Sequence, residues 1–137
     1  MLINILFLGA IIFILDLTIL PEASLSIGVD QGGINIIPLA TIKHVLLHDS
    51  IMEIVLNNIG NIILFMPFGF LLPFKFKWIN SLPKTCLMGM FLSISIESIQ
   101  LLLPNRWTDI DDVILNTLGT GIGYSLLRVI NKQYKKT

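Results

Sequence analysis

The chain has 137 residues, room for one domain of ordinary size; 54% of them are hydrophobic and 13% charged, against roughly 25% charged in a typical soluble domain. Nine basic residues balance nine acidic ones and mean hydropathy is +0.84, so the composition is that of a membrane protein with no basic surplus for nucleic acid. A single cysteine, Cys86, allows neither an internal disulfide nor a thiolate metal cluster, and a soluble enzyme, a secreted disulfide scaffold and a disordered tail are all excluded.

Four apolar segments approach the ~20 residues needed to cross ~30 Å of hydrocarbon. The first, about residues 2–20, is interrupted by Asn4, Asp16 and Thr18 and ended by Pro21. Nothing basic precedes its long apolar run, so it reads as a retained span rather than a cleaved signal. Residues 22–50, broken by Gly28, Gly32, Gly33 and Pro38, read as an external loop that ends in a short interfacial helix from about Thr41. The second span, about 51–72, carries Asn57, Asn58 and Asn61 early and Pro67, Gly69 and Pro73 late, which predicts a kink or a broken final turn. A third, about 85–103, stops at Pro104, and a fourth, about 112–130, runs into a polar tail. The expected architecture is an all-α, four-transmembrane-helix bundle forming a single domain over residues 1–137.

Orientation follows from the basic residues of short loops. Lys75, Lys77 and Lys84 follow the second span, and Arg128, Lys132, Lys135 and Lys136 end the fourth; only Lys43 and Arg106 fall elsewhere. Both termini are therefore expected in the cytoplasm of a multi-pass protein. Every acidic residue, Asp16, Glu22, Asp30, Asp49, Glu53, Glu97, Asp109, Asp111 and Asp112, then lies outside or in the outer half of a span.

Polar side chains inside spans are expensive and usually mark function, and here their spacing groups them. Asp109, Asp112, Asn116, Gly119 and Gly123 recur at helical steps on one stripe of the fourth span. Ser93, Glu97 and Gln100 share a face of the third, with Glu97 about 9 Å along the axis from Leu103. Asn57 and Asn61 align in the second, with Asn58 beside them. Thr108 followed by Asp111 has the spacing of a capping box, so the fourth helix is expected to begin just after Thr108. Candidate ligand-binding residues are Asn61, Glu97, Arg106, Asp109, Asp112 and Asn116; Pro67, Gly69, Gly119 and Gly123 are structural candidates, the last two as a close-packing pair. Competing readings give Asn61 a helix-to-helix hydrogen bond and Arg106 an ion pair with Asp109 or Asp112. Trp78 and Trp107 suit the two membrane interfaces. His44 and His48 with Asp49 lack the supporting ligands of a metal site, so no metal and no cofactor is expected.

Gly60-Asn61-Ile62-Ile63-Leu64-Phe65-Met66-Pro67-Phe68-Gly69-Phe70, Glu97-Ser98-Ile99-Gln100, Arg106, Asp109, Asp111-Asp112, Asn116, Gly119 and Gly123, preceded by Asn35-Ile36-Ile37-Pro38, together resemble the VanZ-like family over about residues 35–125. Each piece is weak alone, but the ordered set is specific. The resemblance implies a small bacterial integral membrane protein, related to one associated with low-level resistance to teicoplanin-type glycopeptide antibiotics. It implies no defined reaction.

The expected function is therefore recognition, at an outward-facing polar pocket in the bacterial cytoplasmic membrane, of a cell-wall precursor, an envelope lipid or the glycopeptide itself. The alternative is an intramembrane hydrolase or transferase acting on an envelope lipid, with Glu97 as general base and Asp109 or Asp112 as its partner. Neither a nucleophile motif nor a metal set accompanies those carboxylates, which favours binding over turnover. A third possibility is a structural partner of another membrane protein. A channel is disfavoured because the polar stripes stop in the outer half.

Overall fold

The computed structural model describes residues 1–19, 33–48, 50–103 and 106–134 and is all-helical apart from one two-residue strand pair. Helix α1 spans Leu2–Ile19, strand β1 Ile34–Asn35 and helix α2 Ala40–His48. Helix α3, Ile51–Ile54, runs through a π-helical stretch, Val55–Ile59, into α4, Gly60–Lys75. Helix α5 spans Leu82–Gln100, strand β2 Thr108–Asp109 and helix α6 Ile110–Tyr134. Two helices, α1 and α6, are long and apolar enough to cross a membrane, and α4 is a shorter apolar helix. Ile5, Leu8, Ile12 and Phe13 of α1 are each more than half exposed, a surface suited to hydrocarbon rather than water.

The four long helices alternate in direction. Lys75, at the end of α4, donates to the Asn4 side chain at the start of α1 (2.6 Å), while Gln100 at the end of α5 reaches the Thr18 carbonyl near the end of α1 (2.8 Å). Helices α4 and α6 run parallel in close contact, with Gly119 on Ile62 and Gly123 on Met66. Helix α5 runs against α6, with Ser93 opposite Asn116 and Gly89 opposite Thr120. One end of the bundle thus gathers Asn61, Glu97, Asp109, Asp111 and Asp112, and the other Lys75, Lys84 and Lys132.

Two kinds of packing hold this arrangement. Large apolar side chains fill the space between α1, α4 and α5: Phe7, Ile14, Phe65, Phe68, Leu72 and Ile96 are buried together, and the Phe7 ring lies 5.6 Å from Phe68 and 5.9 Å from Phe76. Between α4 and α6 there is no room for side chains. A Cβ added at Gly69 would collide with the Thr120 carbonyl, one at Gly119 with the Ile62 carbonyl and one at Gly123 with the Met66 carbonyl. Small residues that let backbones touch are how helices associate where apolar burial offers little driving force.

The backbone departs from expectation in two places. Helix α4 continues unbroken through Pro67, Gly69 and Pro73 to Lys75, because α6 grips it on both sides of Pro67, through Met66 and Gly69. The irregularity falls instead upstream, in the π-helical stretch. The second difference is the parallel pairing of Ile34 with Thr108 and Asn35 with Asp109, which no run of strand-forming residues announces. Residues 20–32, 49, 104–105 and 135–137, including Pro21, Glu22, Asp30, Asp49 and Pro104, lie outside the described residues, as does most of the loop expected to roof the pocket.

Candidate functional site

The acidic end is built from four pieces of chain: β1 and the start of α2, the start of α4, the end of α5, and residues 106–116. Asp109 is its junction. Its backbone N–H donates to Glu97 Oε2 (2.9 Å), and its Oδ1 accepts from the Asn35 amide (3.0 Å) and from the backbone N–H of Asp111 (2.9 Å). The last contact makes Asp109 the N-cap of α6. This corrects the capping-box reading of Thr108 with Asp111: α6 begins at Ile110, and the Thr108 hydroxyl instead meets the Glu97 carbonyl (3.3 Å).

Asp111, released from that role, faces away from its own helix. Its carboxylate accepts the backbone N–H groups of Leu39, of Thr41 (2.9 Å) and of Ile42 (3.0 Å). These are the orphan donors at the N-terminus of α2, where a negative charge is stabilised by both hydrogen bonds and the helix dipole. The same clamp holds Leu39 in the left-handed backbone region at φ 67°, a conformation that disfavours a branched side chain by roughly 1–2 kcal/mol. Asp111 is 1% exposed and is spent on this structural task.

Glu97 and Asp112 stand across the α5–α6 interface, close enough for their charges to interact with each other, with Asp109 and, favourably, with Arg106. Asn61 donates its amide to Asp112 Oδ1 (2.6 Å), brought there by α4, which the π-helical stretch precedes; such insertions re-aim the residues that follow and recur at functional sites. One turn deeper, the Asn116 side-chain amide donates to Ser93 Oγ (2.8 Å), and the oxygen of that same side chain, Oδ1, is buried with no partner, while the main-chain carbonyl of Asn116 accepts from Thr120. Glu97, Asn61, Asp109, Asp112 and Asn116 are therefore brought together.

Arg106 acts on Asp112 and Glu97 through its charge, and its described hydrogen bond goes elsewhere than the expected partners Asp109 and Asp112. Its guanidinium donates to the Thr18 carbonyl, beside Gln100 on the same acceptor, so it ties residues 106–109 to the end of α1. Gln100 is 6% exposed and its carbonyl oxygen has no partner.

Other polar groups extend deeper than the stripes suggested. Thr120 and Thr85 are fully buried, but each hydroxyl returns to its own helix, to the Asn116 carbonyl (2.9 Å) and the Ser81 carbonyl (3.0 Å). Trp107 and Trp78 are both mostly exposed, at opposite ends of the bundle. Among the described residues no group of three His, Cys, Asp or Glu side chains is arranged to hold a metal ion; Asp49 and the His48 side chain lie outside the described part, as does the side chain of Asn57. Sequence reasoning missed Asn35 as a bridge and Asp111 as a clamp. A signal for the first was present in Asn35-Ile36-Ile37-Pro38, since Asn two residues before an amide it can accept from is a turn former, and the Asn35 carbonyl oxygen does accept the Ile37 N–H (3.1 Å).

Comparison with known proteins assigns the chain. The VanZ/LLP1 family model matches residues 1–131. Protein VanZ of Enterococcus faecium is 45% identical over 74 residues, which cover 54% of this chain and 45% of that protein, so the alignment spans under half the length of the relative. No solved structure matches. With nearly the whole chain under the family model and the ordered residues of the acidic end in place, the protein belongs to the VanZ/LLP1 family.

Proposed function

We propose that this protein is a multi-pass component of the bacterial cytoplasmic membrane whose acidic end faces outward as a recognition pocket. It takes a polar group of a cell-wall precursor, an envelope lipid or a glycopeptide, and so lowers susceptibility to teicoplanin-type antibiotics. The carrying observation is the pair of carboxylates, Glu97 and Asp112, one helical turn from the unpartnered side-chain oxygen of Asn116, each accepting one hydrogen bond from the described residues, from the Asp109 N–H and the Asn61 amide. Asp111, in its structural role, accepts three. The alternating helix directions and the basic residues at the opposite end support four spans with both termini inside.

Glu97→Gln tests the pocket, because glutamine still offers an oxygen to the Asp109 N–H and removes only the charge. We expect membrane abundance to stay within about twofold of wild type while protection against teicoplanin in a susceptible host is lost. A fully protective Glu97→Gln protein would leave this residue outside the function.

Topology is tested separately, by cysteine labelling in a Cys86→Ser background. Lys43→Cys on exposed α2 should react with an impermeant maleimide in intact cells, and Lys132→Cys near the end of α6 only after permeabilisation. The reverse pattern would turn the pocket toward the cytoplasm and remove any direct role at the envelope.

A further inference from the structure

We infer, resting on the pocket proposed above and specifying what enters it, that the acidic end binds a primary ammonium group between Glu97, Asp112 and the Asn116 side-chain carbonyl. Among the described residues four carboxylates meet at this end, Glu97, Asp109, Asp111 and Asp112. Asp111 is answered by three backbone N–H groups of α2, and Asp109 by Asn35 and the first turn of α6. Glu97 receives one backbone N–H and Asp112 one side-chain amide. A carboxylate offers about four lone-pair directions, so the described residues fill only part of their acceptor capacity, and the two charges also repel each other.

Among the described residues, the amide donors at this end already have acceptors. Asn61 is on Asp112, Asn35 bridges Asp109 and Thr41, and the Asn116 amide is on Ser93. Arg106 donates to the Thr18 carbonyl while its charge acts on both Glu97 and Asp112, so a single guanidinium stands against the four carboxylates of the described acidic end. A second and independent observation is Asn116 itself. It is 3% exposed, one helical turn below Asp112, and its amide spans to Ser93, one turn below Glu97; the carbonyl oxygen of that amide has no partner. A buried acceptor without a donor is costly, and this one belongs to the residue one helical turn from Asp112 on the same stripe of α6.

What satisfies such a site is a positive charge with several N–H donors. A primary ammonium has three, matching the two carboxylates and the amide carbonyl. A quaternary ammonium has none and is held by aromatic faces, whereas this site is lined by carboxylate and amide. A phosphate or carboxylate would meet like charge. The ammonium has two possible sources, the headgroup of an amine-bearing lipid or a free amine, and the experiment separates them.

The full chain, purified and exchanged into mixed micelles, is offered equimolar phosphatidylethanolamine, phosphatidylcholine and phosphatidylglycerol, and retained lipid is read by native mass spectrometry. Ethanolamine, with tetramethylammonium as control, is titrated in parallel by calorimetry. We expect phosphatidylethanolamine to be retained at least tenfold over phosphatidylcholine, with Glu97→Gln and the Glu97→Gln, Asp112→Asn double variant lowering it to the phosphatidylcholine level and leaving phosphatidylglycerol unchanged. Binding of ethanolamine without lipid preference, lost in the same variants, supports the ammonium site and assigns it to a free amine. Equal retention of the three lipids together with no ethanolamine response overturns the inference. So does a preference that survives in Glu97→Gln, the isosteric variant expected to fold as wild type. If that happens while Glu97→Gln still abolishes teicoplanin protection, the pocket stands and only its ligand class falls; if protection also persists, both fall.

Discussion

Alanine at Gly119 or Gly123 is expected to remove most of the folded protein from the membrane, although it adds a single methyl group. The new Cβ would strike the carbonyl oxygen of Ile62 or Met66, and a backbone atom, unlike a side-chain tip, cannot swing aside. Helix α4 would have to move off α6 along their shared length. Overpacking typically costs about 1–3 kcal/mol, and the upper end applies here because the longest contact in the bundle is forced apart. Gly9 provides the control. Nothing lies within 4 Å of a Cβ added there, so Gly9→Ala should be neutral or stabilising by about 1 kcal/mol through helix propensity. Thermal stability in detergent, read by fluorescence-detected size exclusion, distinguishes the two. A Gly119→Ala protein as stable as Gly9→Ala would mean that α4 and α6 are not in backbone contact.

Asp111→Ala is expected to release α2 without unfolding the bundle. Three backbone donors lose their acceptor at once, and hydrogen bonds to a charged group contribute roughly 1.5–3 kcal/mol each before non-additivity. A net local loss of about 3 kcal/mol corresponds to roughly a hundredfold faster amide hydrogen exchange over Leu39–Ile42, with little change in α4. Thr108→Ala, by contrast, removes one 3.3 Å contact to the Glu97 carbonyl and should leave α2 exchange unaltered. If Thr108→Ala loosens α6 more than Asp111→Ala loosens α2, the capping-box reading of the sequence is restored.

That contrast marks where the sequence was legible. Periodicity groups Asp109, Asp112, Asn116, Gly119 and Gly123 because helix geometry alone decides which residues share a face, and the apolar runs locate the helices because length and hydropathy are local properties. Asp111 shows the limit. Its spacing from Thr108 is that of a cap, yet its carboxylate bonds amides 69 to 72 residues away. A local pattern carries no information about a competing distant donor set. Arg106 is similar in part: its charge does act on Asp112, as opposite charges nearby in sequence suggest, but its hydrogen bond goes to a main-chain carbonyl of α1 that no local pattern announces. The strand pair at Ile34 and Thr108 was illegible because two residues are too few for any alternation to register.

The clamp on α2 also fixes the order in which the protein can be completed as it leaves the ribosome. Asn35 meets Asp109 across 74 residues, Asn61 meets Asp112 across 51, and Thr18 waits for Arg106 across 88. Closing such loops costs little more than closing short ones, so the delay is one of supply rather than of entropy. At ~5–20 residues per second, the start of α2 waits several seconds for the anion that caps it, 69 to 72 residues on, and Asn61 waits several seconds for its partner 51 residues on. The acidic end therefore comes into existence in a single late event, when residues 106–112 arrive. Changes in the first turn of α6 will accordingly lower the yield of mature protein as well as its activity, and abundance must be measured beside every phenotype assigned to Asp109, Asp111 or Asp112.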